Sequence, residues 1–513
     1  MPGIKPKNVL FIVIDQMRAD CLRGPLAEAV DLPHLRALQA DAVSFARHYS
    51  VTSPCGPSRA SILTGQYAMN HRSVRNGTPL RATIPTLPSE LRRAGHLPLL
   101  YGYTDTSQDP AAYTGKDRAL TSYEQPMAGF HEVVEMRQLM SYPWRADLIA
   151  KGYAFDNYLD VYRPQAPAGR AARPDDPALY RAEDSDTAFL TNACLTDLAA
   201  RAGQGWIAHL TYIRPHPPLV APEPYNRMVD PATLPLPRRL PDAAAEAALH
   251  PFFGPALHDT TPVDMVAGFP DLGADDDTIQ MLRAIYLGLA AEVDHHIGRV
   301  VHFLKDSGQY DNTLLILTAD HGEMLGDRHA WGKMSVYDAA YHTPLIIRAP
   351  GAQAARGTTV HVPTESIDIA PTILDALGLD VPPSMDGRSL GPFLQGEQPD
   401  GWRDYSYSEL DFADPLRPTA WQKALGCDTQ DSNLAILRED RFTLVQFACD
   451  LAPMLFDHDE AGEMQDLAAN PEYADTLMRL TARMLRHRMR HSDQTHGQTL
   501  ITAAGPRTAR PQR

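Results

Sequence analysis

Short apolar runs alternate with amphipathic stretches along most of the chain. Asn8–Ile14 is apolar at nearly every position, which is typical of a strand buried on both faces of a parallel sheet. Residues 206–212 and 313–318 have the same character, and residues 278–307 place apolar side chains at helical spacing along one stripe. This alternation continues to about residue 380. It predicts a large α/β domain with a mostly parallel sheet.

The pattern changes after Pro383, where short segments with strand character replace the α/β alternation. Three of them predict antiparallel strands: 405–410, 434–438 and 442–447. A helix is predicted from about 471 to 490, and the polar tail after it reads, taken alone, as disordered. The predicted organisation is a large α/β domain over residues 1–383, a small α+β domain over 384–491 and a C-terminal arm over 492–513.

The charge balance narrows the classes of partner. The 513-residue chain has 47 basic and 63 acidic residues and a formal net charge of −16. This excess argues against nucleic acid or an anionic membrane as the main partner, whereas a small anionic substrate needs only a few local cations. The first apolar run ends at Asp15, too soon for a signal peptide, and no run is long enough to span a membrane. We therefore predict a cytoplasmic protein.

The cysteines are odd in number and widely scattered: Cys21, Cys55, Cys194, Cys427 and Cys449. No Cys-x-x-Cys pair occurs, so neither a disulfide framework nor a zinc knuckle is predicted. A buried, inert thiol is the ordinary interpretation of each. Cys55 is the exception to examine, because it lies between two prolines in TSPCGPSRASILTG.

Polar residues follow three of the predicted strands. Asp15 ends the first, Asp320 and His321 follow residues 313–318, and His216 comes shortly after residues 206–212. Ligands of open α/β sheets bind beyond the carboxyl ends of the strands, so these side chains are expected to face one crevice. A lone aspartate after a strand is more often a turn former or helix cap. Convergence of two carboxylates and an imidazole favours a divalent metal site.

Cys55 is expected to lie just before a helix N-terminus. Residues 58–63 predict a short helix, with Pro57 in its first turn and Gly65 as its stop. Free amides and the helix dipole favour an anion at such an end. One interpretation is a low-pKa nucleophilic thiol, which would need a neighbouring base. The sequence offers no base at a recognisable spacing.

The second interpretation rests on a resemblance. Cys55-Gly-Pro-Ser-Arg59 matches the C-x-P-S-R signature of the type I sulfatases, in the alkaline phosphatase superfamily. Further segments resemble that family in the same order: 8–16, 60–65, 320–323, 368–374 and 455–459. The resemblance implies an alkaline phosphatase-like fold. It also implies that a formylglycine-generating enzyme oxidises Cys55 to formylglycine, whose hydrate attacks phosphorus or sulfur through one hydroxyl and releases the product through the other.

Smaller features indicate which branch of this family the chain resembles. Residues 100–107 lack the lysine and histidine that typical sulfatases carry there, Gln16 replaces a second acid, and Trp331-Gly-Lys333 follows Asp320 at a distinctive spacing. These features resemble the phosphonate monoester hydrolases, which cleave phosphonate monoesters and phosphodiesters and take sulfate esters as side substrates. In that branch a C-terminal arm reaches neighbouring subunits, so the resemblance implies a homotetramer.

The resemblance also implies roles for individual side chains. The implied metal ligands are Asp15, Gln16, Asp320, His321 and modified Cys55. Arg59 would stabilise the diol, and Asn76 and Lys333 would neutralise charge on the transferred group. His216 and Tyr103 would bind substrate oxygens or the leaving group. The hydroxyl-bearing neighbour Thr104 is a further substrate-binding candidate.

Asp105 departs from the branch, which has a threonine at this place. A carboxylate beside an anionic substrate would repel it unless Asp105 turns away or meets a cationic group. Thr104 or Thr106 would then supply the hydroxyl. The alternatives left open are a sulfatase acting on an aryl or choline sulfate, and a binding protein that has lost catalysis.

The identity of the metal is constrained by its expected ligands. Calcium prefers a shell of oxygen atoms alone, and the nitrogen of His321 disfavours it. Manganese tolerates mixed oxygen and nitrogen ligands, and the resemblance points to it as well. Mn²⁺ is therefore predicted, with Ca²⁺ as the alternative.

Overall fold

The computed structural model describes residues 6–139, 141–492, 497 and 499–508. Its strands are β1 (Asn8–Ile14), β2 (Val43–Phe45), β3 (His48–Tyr49), β4 (Thr52–Ser53), β5 (Pro98–Gly102), β6 (His131–Glu135), β7 (Ile207–Tyr212), β8 (Thr313–Ala319), β9 (Leu345–Arg348), β10 (Thr359–Val360), β11 (Thr364–Glu365), β12 (Ser406–Asp411), β13 (Asn433–Arg438), β14 (Phe442–Phe447), β15 (Met454–Asp457), β16 (Thr499–Thr502) and β17 (Gly505–Thr508).

The α-helices are α1 (Pro33–Ala40), α2 (Cys55–Thr64), α3 (Ala68–His71), α4 (Leu87–Arg93), α5 (Tyr142–Ala150), α6 (Asp186–Ala200), α7 (Ala243–Leu249), α8 (Phe253–Ala256), α9 (Pro262–Met265), α10 (Asp276–Asp306), α11 (Asp338–Tyr341), α12 (Ile369–Ala376), α13 (Gly391–Leu394), α14 (Ala420–Leu425) and α15 (Ala474–His491). Over the residues described, no helix combines the length and the apolar character needed to cross a membrane.

The largest sheet has eight strands in the order β10-β2-β9-β8-β1-β7-β5-β6. β1 lies inside it, parallel to β8 on one side and to β7 on the other. β9 is antiparallel to both of its neighbours, β8 and β2. The mostly parallel sheet predicted from the apolar runs is therefore confirmed, and the apolar runs at 206–212 and 313–318 are the strands that flank β1.

Both faces of this sheet are covered, which explains why β1 is apolar throughout. Leu10, Ile12 and Ile14 belong to one hydrophobic cluster, and the alternate residues of the strand belong to a second cluster on the opposite face. α10 packs in the first cluster through the stripe Leu289, Val293, Ile297, Val300 and Leu304. α2 and α12 contribute to the second cluster. The result is a sheet sandwiched between helical layers.

A second sheet has the order β15-β14-β13-β12-β4. β12, β13 and β14 are antiparallel, as predicted from residues 405–447, and β15 adds an antiparallel strand that was not predicted. β4 comes from the N-terminal part of the chain and pairs with β12 in parallel, with Thr52 opposite Glu409. The segment directly before Cys55 is thus held by the small sheet, although it precedes residue 383 by a long stretch of chain. The position of Cys55 consequently depends on both sheets.

The C-terminal segment contains more structure than its polar sequence indicates. α15 runs to His491, and β16 and β17 then form a two-stranded antiparallel ribbon. Two large apolar side chains of this ribbon are strongly exposed, Leu500 at 72% and Ile501 at 81%. Backbone pairing between the two strands is the interaction that the sequence pattern did not reveal. Arg507 lies in β17, whereas Arg510 and Arg513 lie outside the described residues.

Candidate active site

Asp15 and Asp320 follow two neighbouring strands directly. Ile14 at the end of β1 pairs with Ala319 at the end of β8, so the next residue of each strand reaches the same edge of the sheet. Both aspartates are buried. The convergence expected from the strand ends is therefore present, at the carboxyl edge where open α/β sheets bind ligands.

Arg59 joins the two carboxylates. Its Nε donates to Asp320 Oδ2 at 3.0 Å, and its Nη2 donates to Asp15 Oδ2 at 3.0 Å. The guanidinium also lies over the ring of Tyr103, 4.2 Å from the centroid, and the Tyr103 hydroxyl donates to Asp15. With each Oδ2 atom engaged, the Oδ1 atoms of both aspartates lie 3.8 Å from His321 Nε2.

Cys55 completes this group as the first residue of α2. The helix begins earlier than the sequence predicts, at Cys55 and not after it, because the amide of Ser58 already donates to the Pro54 carbonyl at 3.0 Å. Cys55 Sγ lies 3.1 Å from His321 Nε2 and 3.8 Å from Asp15 Oδ1. The ligand atoms of Asp15, Cys55, Asp320 and His321 all lie within 4.8 Å of one another.

Gly56 allows this helix start to lie close to its surroundings. Its amide donates to Asn76 Oδ1 at 2.9 Å, and a Cβ at position 56 would lie only 2.9 Å from the carbonyl oxygen of Asp105. Any larger residue would push the helix away from both neighbours. Asn76 therefore holds the N-terminus of α2 through its carboxamide oxygen.

His321 presents an unprotonated nitrogen to the cluster. Its Nδ1 donates to the carbonyl of Gly322 at 3.0 Å, which leaves the Nε2 lone pair directed at the other three groups. Burial and the nearby Lys333 ammonium lower the pKa of His321 to about 3. A neutral imidazole is the form that binds metals.

Asp320 and Cys55 have raised pKa values even though Arg59 pairs with both carboxylates. Burial and the adjacent Asp15 carboxylate raise the pKa of Asp320. Burial and the same carboxylate raise the pKa of the Cys55 thiol well above its ordinary value. Two carboxylates and a neutral imidazole around one point favour a divalent cation, so the donor set fits a metal. The high pKa of Cys55 argues against a thiolate nucleophile.

Lys333 and His216 lie next to each other in the wall of a cavity beside Cys55. Lys333 Nζ lies 3.0 Å from His216 Nε2 and donates to Gln16 Oε1 at 2.7 Å. The second His216 nitrogen, Nδ1, donates to the Pro217 carbonyl at 2.5 Å. Burial and Lys333 lower the pKa of His216 to about 3, so this ring is neutral as well. Gln16, at a φ of 65°, directs its carboxamide oxygen to Lys333.

A cavity of about 120 Å³ adjoins Cys55. Its lining includes Asp15, Cys55, Asn76, Tyr103, Asp105, Tyr123, Glu124, Gln138, Ile213, His216 and Lys333. Thr104 does not line it: its hydroxyl donates to the Gln125 carbonyl at 3.2 Å and accepts from the Met127 amide at 2.6 Å. The hydroxyl of Thr106 contacts Thr104 in the same network. Neither threonine supplies the hydroxyl considered in place of Asp105.

Asp105 faces this cavity. Its Oδ2 lies 4.0 Å from Arg59 Nε, and its backbone has a φ of 46°. Burial raises its pKa to about 8, against the lowering effect of Arg59, and the carboxylates of Asp15 and Glu124 contribute in the same direction as burial.

Several side chains in and around the cavity were not predicted from the sequence. Glu323 accepts hydrogen bonds from Gln16 Nε2 and from the amides of Leu325 (2.9 Å) and Gly332 (2.6 Å), so it fixes the loop that leads to Lys333. It belongs to the Asp-His-Gly-Glu segment, and that motif was the available signal. Tyr123, Glu124 and Gln138 come from an irregular segment with no pattern that marks them.

Matches between this chain and known protein families agree with this geometry. The family described as Sulfatase matches residues 7–379, and the family described as N-sulphoglucosamine sulphohydrolase, C-terminal, matches residues 326–490. The multifunctional alkaline phosphatase superfamily protein PehA of Trinickia caryophylli is 36% identical over 503 residues, which cover 95% of this chain and 96% of that protein.

Two solved structures are similar over nearly the whole length. The phosphonate monoester hydrolase SpPMH from Silicibacter pomeroyi has 64% sequence identity and a TM-score of 0.97, covering 99% of this chain and 100% of its own. The phosphonate monoester hydrolase of Agrobacterium radiobacter has 37% identity and a TM-score of 0.93 at the same coverage. With the signature cysteine at a converged acidic site, the chain belongs to the sulfatase family of the alkaline phosphatase superfamily.

Proposed function

We propose that the protein is a metal-dependent hydrolase of phosphonate monoesters and phosphodiesters, with sulfate esters as side substrates. Its nucleophile would be formylglycine made from Cys55 by a formylglycine-generating enzyme. The observation that carries the proposal is the placement of Cys55 Sγ within 4.8 Å of the ligand atoms of Asp15, Asp320 and His321. Similarity to two proteins named phosphonate monoester hydrolases supports the choice of substrate.

The proposed metal ligands are Asp15, Asp320, His321 and modified Cys55, with Gln16 as a further oxygen donor. A bound divalent cation would neutralise developing charge and lower the pKa of the nucleophile. Manganese is proposed because the donors mix oxygen and nitrogen, and calcium is the alternative. Chelation followed by addition of each metal separately, with activity and thermal stability as readouts, distinguishes the two ions.

Residue 55 would act as a hydrated aldehyde. One hydroxyl forms a bond to phosphorus as the ester oxygen departs with a proton. The second hydroxyl then passes its proton to the departing phosphonate or phosphate, its oxygen becomes the aldehyde carbonyl, and the bond between the residue 55 carbon and the oxygen on phosphorus breaks. Addition of water restores the diol. Arg59 holds the Oδ2 atoms of Asp15 and Asp320, so both carboxylates stay oriented throughout.

The Lys333 ammonium would stabilise the negative charge of the transferred group. Lys333 lines the cavity, and its ammonium is positioned by Gln16 Oε1 at 2.7 Å. Preorganised donors of this kind are worth about 10²–10³ in kcat. His216 and Tyr103 line the same cavity, where they would contact substrate oxygens or the leaving group, and Asn76 would complete the wall.

A sulfatase acting on an aryl or choline sulfate is the second candidate. Asp105 favours the choline ester, because above its pKa of about 8 the ionised side chain in the cavity wall can attract a cationic group of the substrate. Matched aryl phosphonate, phosphodiester and sulfate esters, assayed with one metal-loaded preparation, separate the two. A kcat/KM that is much larger for the sulfate would reject the phosphonate assignment.

Mass spectrometry of the tryptic fragment containing Cys55 tests the nucleophile directly. We expect formylglycine in the active enzyme, and an unmodified thiol there would contradict the proposal. Loss of catalysis in a binding homologue is the alternative from another class. No turnover of any ester despite full aldehyde and metal content would establish it.

The proposal also includes the oligomeric state and the cellular location of the protein. We propose a homotetramer in which the C-terminal arm contacts a neighbouring subunit, supported by the exposed Leu500 and Ile501 of its ribbon. The cytoplasmic location is supported by five cysteines that are all free.

A further inference from the structure

A second and larger cleft lies at the opposite end of α2 from Cys55. Its volume is about 1230 Å³, and it shares no lining residue with the cavity at Cys55. Its walls come from residues 66–70, 81–85, 383–388, 401–405 and the last turns of α15. α2 has ten residues, so roughly 15 Å of helix separates the two regions. The cleft is therefore distinct from the proposed active site.

The cleft is basic although the chain carries a net charge of −16. Seven arginines and three carboxylates line it. Some of the arginines are neutralised: Arg403 pairs with Asp368, and Arg483 pairs with Glu439. Across the described residues, no carboxylate oxygen lies within 4.0 Å of the guanidinium groups of Arg81, Arg388 or Arg486.

These three cations come from separate parts of the chain. Cations in the last turn of α15 interact favourably with the helix dipole, but Arg486 precedes that turn, so the dipole stabilises it only weakly. That explanation does not extend to Arg81 and Arg388, which come from two loops. Burial and the charges of Arg403 and Arg490 lower the pKa of Arg388, which reflects a positive potential in this region.

His487 supplies an independent indication of a ligand. Its side chain is buried, stacks on Tyr407 with ring centroids 4.1 Å apart, and lies with Nδ1 2.9 Å from the Tyr405 hydroxyl. Its Nε2 is buried and has no hydrogen-bond partner. A buried polar atom without a partner is costly, and His487 lines the cleft. This atom has almost no exposed surface, so a ligand in the cleft satisfies it only if the imidazole turns toward the cleft.

We propose that this cleft binds a small organic anion that carries two phosphate groups. Arginine recognises phosphate through paired N–H donors, and the three unneutralised guanidiniums arise from three different walls. The volume exceeds the roughly 300–1,000 Å³ of ordinary small-molecule pockets, so a single inorganic phosphate would leave most of it unfilled. Trp402, Ile84 and Met385 provide apolar surface for the carbon skeleton.

Calorimetric titration with fructose 1,6-bisphosphate as the probe tests this site. The full-length, metal-loaded protein carries Cys55→Ala, so that turnover does not contribute heat. We expect saturable binding that Arg81→Gln with Arg486→Gln weakens at least tenfold. Arg93→Gln with Arg118→Gln removes the same charge from exposed positions outside the cleft, and the affinity should stay within twofold.

Two further arms decide where the probe binds and which group is recognised. Lys333→Met should leave the affinity unchanged; loss of binding in that variant alone would assign the probe to the active site and overturn the proposal. Inorganic phosphate and citrate should bind at least tenfold more weakly than the bisphosphate, and equal affinity for either would reject the assigned class.

The same variants separate an anion site from an interface between copies. Light scattering should give the same mass for the parent protein and for Arg81→Gln with Arg486→Gln. A lower mass for the variant, or no saturable binding of the bisphosphate at millimolar concentration, would overturn the proposal. Circular dichroism of each variant confirms that the comparison is made between folded proteins.

Discussion

His321 Nε2 lies 3.1 Å from Cys55 Sγ, and this contact determines how residue 55 can act. The imidazole has its other nitrogen committed to a backbone carbonyl, so the lone pair at Nε2 is directed at the same point as the thiol. Burial keeps that thiol protonated. The arrangement places residue 55 where a metal and a transferred group would meet, and His321, with a pKa of about 3, is too weak a base to activate sulfur. In our proposal, residue 55 acts only after its oxidation to formylglycine.

Cys55→Ala is expected to lower kcat/KM for an aryl phosphonate monoester by on the order of 10⁴ or more, because the nucleophile is removed. Steady-state kinetics measure the loss. Cys427→Ala, at a half-buried cysteine outside the site, is the matched control and should retain activity. Full activity in Cys55→Ala would show that another group attacks the ester.

Lys333→Met tests the cation opposite the nucleophile. The change keeps much of the side-chain length and removes the ammonium 3.0 Å from His216 Nε2. We expect kcat to fall by about 10²–10³ because the charge of the transition state is less well stabilised. Lys423→Met, at an exposed position on α14, provides the control. A rise in KM with unchanged kcat would instead assign Lys333 to ground-state binding.

Much of the site was predictable because it follows from strand ends and one motif. Asp15, Asp320 and His321 were placed by apolar runs that stop at a polar residue, and parallel strands bring such residues to one edge. Arg59 was assigned through the signature, and its contacts with both carboxylates give it a physical role. His216 also lies in the crevice, as expected.

The parts that escaped prediction depend on contacts distant in sequence. β4 joins β12 through pairing between residues 52–53 and 409–410, which no local pattern records. Tyr123 and Gln138 reach the cavity from an irregular segment, where neither helical nor strand periodicity applies. The direction of the Thr104 hydroxyl depends on the Gln125 carbonyl. A residue type at the correct spacing therefore did not establish which way its side chain points.

Acid is expected to destabilise the fold through buried histidines outside the site. Burial lowers the pKa values of His48, His71, His209 and His296 to about 3, from 6.5 in a solvated histidine. Between these values the unfolded chain binds protons that the folded chain does not, so stability falls as the pH is lowered from about 6.5. Each such histidine contributes about 1.4 kcal/mol per pH unit to that slope.

His209→Phe isolates one of these contributions. The ring is stacked between Phe11 and Phe130, so phenylalanine preserves the packing and removes the titrating nitrogens. Urea denaturation at several pH values from 4.5 to 7 gives the free energy of unfolding at each pH. Its dependence on pH should be less steep in the variant, by the contribution of about one histidine. His258→Gln, at an exposed position, is the control. An unchanged slope in His209→Phe would refute the assignment.

Asp105→Asn tests the carboxylate in the cavity wall. Asparagine suits this change better than threonine, because the backbone φ of 46° disfavours a β-branched side chain and is well tolerated by asparagine. With a pKa of about 8, Asp105 becomes charged as the pH rises through that value and then repels an anionic diester. The variant should therefore match the parent at pH 6.5 and exceed its kcat/KM several-fold at pH 9. Equal pH profiles would show that Asp105 does not influence the substrate.

Deleting residues 492–513 tests the role of the arm in assembly. The ribbon formed by β16 and β17 exposes Leu500 and Ile501, and exposed apolar side chains on a basic segment suit a contact with a neighbouring acidic subunit. Light scattering should give a lower, concentration-dependent mass for the truncated protein. Leu500→Ser with Ile501→Ser should weaken assembly in the same direction while the ribbon backbone is retained. If truncated and full-length proteins have the same mass and activity, the arm has no part in the oligomer and the exposed pair has no partner subunit.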